Sequence, residues 1–334
     1  RCYLALHLAL GVTGVVFALS DQLWLLAVVA LAGALSTEVV ESGPFTSLEQ
    51  AMLATDLSGR SRLRGFGTYN AVATAAGSLG ALAAGGLGPL REVWAGAPTD
   101  QRAFLLFVPV ALAGAALAAG LSPAVEASDP GRHGPGSVVA AARSRPHVRR
   151  LAALFAADSF GGGFVVQSFI AYWLTVRFGA SVGQLGLVFS AVGGLQTASM
   201  LVAPRLAERY GLLPTMVFTH LPSNVVLAAM AFAPNLGTAV TLLLLRVALS
   251  QMDVPTRQAY VMALVEPGER TAAAVWTNTA RAVVRPAGPA LAGASQAIAL
   301  GAPFLIAGVV KGAYDLVLWR WFRRVELPEE VGAT

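Results

Sequence analysis

Leu242 to Arg270 reads LLLLRVALSQMDVPTRQAYVMALVEPGER. It is long and apolar enough to cross a membrane, yet it carries Arg246, Asp253 and Arg257. These sit at i, i+7 and i+11, which at 3.6 residues per turn is one face of a helix, with Ser250 between them. Charge on a lipid-spanning helix is costly, so the stripe is expected to face protein or water. The stretch leaves its apolar region at Glu266-Pro267-Gly268-Glu269-Arg270.

The rest of the chain has the same character. Its 334 residues are 56% hydrophobic and only 12% charged, where a soluble domain has about 25% charged residues. Such composition predicts an all-α membrane protein that crosses the bilayer repeatedly. A transmembrane barrel is disfavoured, because the apolar runs are helix-length and do not alternate over about ten residues. The net charge of +5 comes from 22 Arg and one Lys, Lys311. The arginines cluster at helix ends, which points to membrane topology and a lipid bilayer partner, not to nucleic acid. Cys2 is the only cysteine, and His7, His133, His147 and His220 make no metal-spacing pattern. No disulfide, metal or cofactor is expected. Without a phosphate-binding P-loop, G-x-S-x-G or H-E-x-x-H, neither an ATP-driven pump nor a hydrolase is supported, and the chain does not read as an enzyme.

Apolar segments occur at Tyr3–Ser20, Leu23–Thr55, Gly67–Leu87, Phe104–Leu121, Leu151–Val176, Leu185–Leu206, Leu213–Ala233, Leu236–Val265, Ala272–Leu300 and Phe304–Trp321. About 20 residues suffice to cross, so ten spanning helices are expected, the longer ones tilted or kinked. With Arg1 in the cytoplasm, the alternating loops and tail place 15 arginines on the cytoplasmic side and 3 (Arg91, Arg102, Arg177) opposite. That asymmetry orients residue 1, the central linker and the C-terminal tail to the cytoplasm of a cell-membrane protein. Arg1 stands where a Met would begin a chain, and the opening reads as the inside of a longer protein.

Residues 122–150 are Pro/Gly/Ser-rich and basic, a cytoplasmic linker between bundles at 1–121 and 151–325, with 326–334 as the tail. A repeat spans that linker. Shifted by 208, Gln50–Gly85 lies on Gln258–Gly293, matching Gln50/Gln258, Arg62/Arg270, Asn70/Asn278, Gly80/Gly288 and Gly85/Gly293 among others. Both copies run in the same direction, a parallel repeat of the kind that builds transporters from six-helix units.

One motif makes the likeness specific. Pro204-Arg205-Leu206-Ala207-Glu208-Arg209-Tyr210-Gly211-Leu212-Leu213 resembles the G-x-L-a-D-r-x-G-r-r motif of the major facilitator superfamily, in its second position between helices 8 and 9. Leu206, Ala207, Arg209 and Gly211 match, Glu208 replaces the acid, and Pro204, Leu212 and Leu213 depart from the pattern. The stretches FAADSFGGGFVVQSF and SQMDVPTRQAYVMALV are similar to a bacterial, efflux-like branch of that family. The resemblance implies a two-bundle architecture in which residue 1 falls just after the second of twelve helices. Ten of the twelve would then be present, helices 3–6 before the linker and 7–12 after it.

By the same resemblance, helices 4, 7 and 10 line a central cavity. Glu38, Glu41 and Glu49 share one helical face and pair under the repeat with the Arg246–Arg257 stripe, Glu38 with Arg246 and Glu49 with Arg257. Helix 4 would present acids across the cavity to bases on helix 10, either as a switching ion pair or a static one. Asp158, followed by Gly161, Gly162, Gly163 and Gln167, adds a carboxylate at a depth similar to Asp253. Asp158, Asp253 and Arg257 are candidates for a proton or cation relay, and three glycines allow a kink or close helix approach. Arg62, Glu208, Arg209, Gly211 and Arg270 are candidates for a cytoplasmic gate. Arg281 and Arg285, four apart, and Lys311 and Asp315, also four apart, are as a set expected to neutralise one another or charges on neighbouring helices. Asn70 and Asn278 are expected to hydrogen-bond between helices. Tyr172, Trp173, Trp319 and Trp321 read as interfacial anchors.

The glycine motif of antiporter branches is incomplete: Gly77-Ser78-Leu79-Gly80-Ala81-Leu82-Ala83-Ala84-Gly85-Gly86 lacks its proline, and a Gly288-Pro289 pair stands elsewhere. The expected function is secondary transport of a small organic solute, with proton-coupled efflux as the family's common mode. Proton-coupled uptake, and a non-transporting sensor or inactive truncated product, stay open.

Overall fold

The computed structural model describes residues 2–31, 49, 59–94, 96, 101–121, 146–265, 270–325 and 327. Glu38 and Glu41 lie outside the described residues. Before residue 122 stand α1 (Cys2–Leu19), α2 (Leu23–Leu31), α3 (Gly59–Gly85), α4 (Leu87–Val93) and, after a 3-10 turn at Arg102–Leu106, α5 (Phe107–Ala119). The last five residues of the stretch expected as a linker are already helical, and open α6 (Pro146–Gly163). Then come α7 (Gln167–Phe178), α8 (Val182–Tyr210), α9 (Leu212–Met230), α10 (Leu236–Ser250), α11 (Asp253–Leu264), α12 (Arg270–Val284), α13 (Ala287–Gln296) and α14 (Ala302–Phe322).

Several expected single helices are broken where the backbone chemistry demands it. The Leu236–Val265 segment divides at Gln251–Met252 into α10 and α11. Pro255 has no N–H to give the carbonyl four residues back, which is that of Gln251. Pro286 separates α12 from α13 in the same way. The glycine run ends α6 at Gly163, and Phe164 and Val165 turn back onto Gly161 and Gly162. Gly211 joins α8 to α9 at φ +91°, a backbone region that a Cβ makes costly, so the glycine of the sequence motif is a hinge requirement.

Among the described residues, six helical stretches are long and apolar enough to span a membrane, and α3 with α4, bent by 43°, makes a seventh if counted as one. The expected count was ten. Tyr3–Leu19 is a shorter apolar helix. The span expected at Leu23–Thr55 is described only through α2 and Glu49. The Ala272–Leu300 segment became two short helices, because Arg281, Arg285 and Pro286 interrupt its apolar face.

After the linker, two apolar cores are separated by a polar layer. One is built on Trp173, Leu174, Leu227, Met230, Leu243 and Phe304. The other is built on Leu151, Phe155, Met216, Tyr260, Tyr314 and Phe322. Along α6, α9 and α14 the residues between the cores are buried and polar: Asp158 and Ser159, His220 and Asn224, Lys311 and Asp315. Trp173 corrects an expectation. It is fully buried, with its ring 4.6 Å from Phe304 and 5.2 Å from Phe178, a core residue and not an interfacial anchor. Tyr172 and Trp321 are exposed, as interfacial side chains should be.

The helices before residue 122 meet those after residue 145 along α3 and α8. A Cβ on Gly85 would stand 2.9 Å from the Gly186 Cα, so only paired glycines permit this approach. Further along, Ser78 donates to the Ser190 carbonyl at 2.6 Å and the hydroxyls of Thr74 and Thr197 lie 2.9 Å apart. Asn70 then donates to Gln258 of α11 at 3.1 Å. At the linker-side end, Arg64 grips Glu208 with Nε and a terminal nitrogen at 3.0 and 3.1 Å.

Candidate functional site: a charged cavity in the second bundle

A cavity of about 1050 Å³, its open mouth included, is walled by described residues of α6 to α12 and of α14. The interrupted helices build it. The break at Gln251–Met252 keeps Arg246 and Ser250 of α10 on one wall with Asp253 and Arg257 of α11, so the stripe read along one helical face becomes one lining surface. The end of α6 supplies Asp158, and the start of α7 supplies Gln167. Five expected site residues therefore converge: Asp158, Gln167, Arg246, Asp253 and Arg257. Arg281, Arg285, Lys311 and His220 join them. Val165, Ile170, Phe189, Val192, Leu243 and Val247 make the apolar part of the wall.

The charges of the polar layer are buried and paired. Arg257 donates to Asp253 at 2.8 Å and to Asp158 at 3.5 Å. The other oxygen of Asp158 is held by the ammonium of Lys311. Asp158, Asp253 and Arg257 are each less than 5% exposed, where an uncompensated charge would cost several kcal/mol. Gly161 creates the room for this arrangement: a Cβ there would come within 2.8 Å of Lys311 Cγ. Gly163 lets α6 touch α13 backbone to backbone at Gly288. The glycine run therefore provides both the helix end and the close approach expected of it.

Glu49, the repeat equivalent of Arg257, accepts hydrogen bonds from the hydroxyls of Tyr3 and Tyr69. Arg257 meets Asp253 and Asp158. Lys311 and Asp315 were open to pairing with each other or with neighbours, and they pair with neighbours: Lys311 with Asp158, Asp315 with His220 and Asn224. His220, set aside as a scattered histidine, is 3% exposed and lines the cavity. The rule that singled out Arg246, that an ionisable group inside an apolar span has a job there, applies equally to His220.

At the linker-side end, Glu208 is engaged by Arg64, a residue not among the expected gate candidates. Arg209 stacks over the Tyr210 ring at 5.3 Å. Gly211 is the hinge described above, Arg62 lies in the first turn of α3, and Arg270 opens α12.

A profile described as Major Facilitator Superfamily matches residues 1–289, most of the chain. The chain belongs to the major facilitator superfamily. It is therefore a multi-pass membrane protein of a family of secondary transporters, not of enzymes, and acts in transmembrane transport across a lipid bilayer. Among curated proteins, it is 24% identical to the uncharacterized membrane protein YJR124C of Saccharomyces cerevisiae over 347 aligned positions, covering 94% of this chain and 78% of the relative. Among solved structures, it resembles a bacterial homologue of the iron transporter ferroportin in an outward-facing state, with a TM-score of 0.56 and 19% identity over 96% of this chain and 82% of that one. That likeness is one of fold.

Proposed function

We propose that this chain forms the path of a proton-coupled carrier that exports a small organic solute across the cell membrane. Residues 1–121 and 151–325 act as the two rocking bundles, with residue 1, the 122–150 linker and the 326–334 tail in the cytoplasm. The arginine asymmetry supports that orientation.

The observation that carries the reading is the cavity wall. It sets Arg246, Arg257, Arg281, Arg285 and Lys311, with Asp158 and Asp253, against an apolar surface of Ile170, Phe189, Val192 and Leu243. A wall of this kind suits an amphipathic or zwitterionic molecule, with the charged part in the polar layer and the rest against the apolar surface. Five cations oppose a bare metal cation, so the cargo named for the ferroportin-related neighbour is not the cargo proposed here. Asp253 and Asp158 share Arg257. Protonating either one would release an arginine bond, which makes the pair suited to link a proton to the rearrangement of a carrier. The device runs in either direction, so uptake by symport differs only in which gradient drives it.

The test is reconstitution of the full-length protein in proteoliposomes with an imposed pH gradient and a panel of labelled zwitterionic and amphipathic organic solutes. Gradient-driven flux that drops at least about tenfold in folded Asp253→Asn is expected, the order of effect for removing one coupling interaction. Undiminished proton-driven flux removes Asp253 from the coupling path. Absence of flux for every solute, with solute binding retained, favours a non-transporting sensor.

A further inference from the structure

Behind Asp158, α9 and α14 meet in a second polar cluster that the proposed coupling pair does not use. His220 presents Nδ1 to both oxygens of Asp315, at 2.9 and 3.0 Å. Asn224 donates to the same carboxylate at 2.8 Å. Asp315 is fully buried, and Asn224 is 2% exposed. Asn224 Nδ2 also lies 3.2 Å from Nδ1. With Asp315 ionised its carboxylate only accepts, so the tautomer that fits it has the proton on Nδ1 and leaves Nε2 as the nitrogen that can gain or lose one. Nε2 lies 3.9 Å from Asp158 Oδ1, the oxygen that Lys311 holds. One carboxylate oxygen thus faces an ammonium and a titratable ring nitrogen.

The surroundings are charged on every side. From α14 come Lys311, Asp315 and Tyr314, whose ring lies 5.9 Å from that of His220. Asp158 comes from α6, Asp253 and Arg257 from α11, Arg246 from α10, and Arg281 from α12, with Arg285 just beyond it; the nearest polar contribution of α8 to the cavity is the neutral Gln196. Within the directly bonded set, Asp158, Asp253 and Asp315 against Lys311 and Arg257 sum to −1 with a neutral imidazole and to zero with an imidazolium.

We propose that His220 is a protonation switch that decides whether Lys311 is held by Asp158 or delivered into the cavity. A proton from cavity water adds to the Nε2 lone pair, leaving hydroxide to the water, and no other covalent bond changes. The imidazolium, fixed from behind by Asp315, then shares Asp158 and repels the ammonium of Lys311. The lysine stem runs beside Gly161 and Gly162, which put no side chain in its way. The released ammonium enters a cavity where it can meet an anionic group of the solute. The purpose of the switch rests on reading the cavity as the transport site; its geometry does not.

Lys311 is the only lysine of the chain, so amine acetylation by a water-soluble N-hydroxysuccinimide ester, read by mass spectrometry on its peptide, reports on this side chain alone. The full-length protein and His220→Gln are labelled side by side from about pH 5.5 to 8, the range in which histidine titrates, and their rate ratio cancels the pH dependence of the reagent. Equal rates at pH 8 and several-fold faster labelling of the parent at pH 5.5 are expected. A ratio flat across the range overturns the switch. Should His220→Gln not fold, the imidazole nitrogen spectrum decides, taken in a protein whose His7, His133 and His147 are replaced by Gln. A proton on Nδ1 at high pH and a second gained at Nε2 by pH 5.5 support the proposal; an Nε2-only tautomer, or no proton gain, overturns it. A pH gradient that drives no flux while Lys311 labelling follows His220 removes the proton-coupled reading and leaves the switch standing. Proton-driven flux with a flat labelling ratio does the reverse.

Discussion

The ammonium of Lys311 on α14 is held by the carboxylate of Asp158 on α6, and both side chains are less than a tenth exposed. Removing Asp158 takes from the buried ammonium the carboxylate that holds it, and removing Lys311 leaves Asp158 bonded to Arg257. Asp158→Asn or Lys311→Met is expected to cost roughly 3–5 kcal/mol of stability, and the double variant Asp158→Asn with Lys311→Met less than the sum of the two. Thermal unfolding in detergent measures this. Additive losses would mean that the pair is not coupled.

Gly288 of α13 faces Gly163 of α6 so closely that a Cβ on Gly288 would lie 2.5 Å from the Gly163 Cα, with only backbone there to yield. Gly293, five residues on, has nothing within 4 Å of such a Cβ. Gly288→Ala should therefore destabilise by about 1–3 kcal/mol through overpacking. Gly293→Ala should be neutral or stabilising by up to about 1 kcal/mol through helix propensity. Paired melting curves of the two alanine variants check the sign difference.

Across the bundle interface, Asn70 donates to Gln258 with both groups inside the protein. Asn70→Ala is expected to lose about 0.5–1.5 kcal/mol. In the Gln258→Ala background the same change should cost clearly less, since the acceptor is already gone. A double-variant cycle by chemical denaturation gives the difference.

The Arg64–Glu208 pair has an arginine side chain 66% exposed. Its removal should change stability by no more than about 1 kcal/mol. Its effect is expected on motion. With Cys2 replaced by Ser, Arg64→Cys and Glu208→Cys joined by a short reducible cross-linker should stop solute flux in proteoliposomes, and reduction should restore it. Flux that continues while cross-linked would show that α3 and α8 need not part at this end.

The amphipathic spacing of Arg246, Ser250, Asp253 and Arg257 was enough to place them on one surface, because helical periodicity is local and survives even the break at Gln251–Met252. The helical membrane character was legible for a similar reason: composition and run length decide what a bilayer accepts. Asn70, expected to hydrogen-bond between helices, does so with Gln258 of α11.

Partner choice was not legible. Lys311 has an acid four residues away on its own helix, yet it reaches Asp158, 153 residues earlier, because α6 has glycines where other residues would block its stem. Asp315, left without the lysine, takes His220 and Asn224 from α9. Glu49 accepts from Tyr3 and Tyr69, two partners that the repeat did not point to. The sequence by itself determined the class of protein and which ionisable groups interrupt its apolar helices, since these follow from composition and local periodicity. Which charge answers which was decided only by the tertiary structure, because an ion pair depends on distances of a few ångströms between helices, set by where glycines let backbones touch.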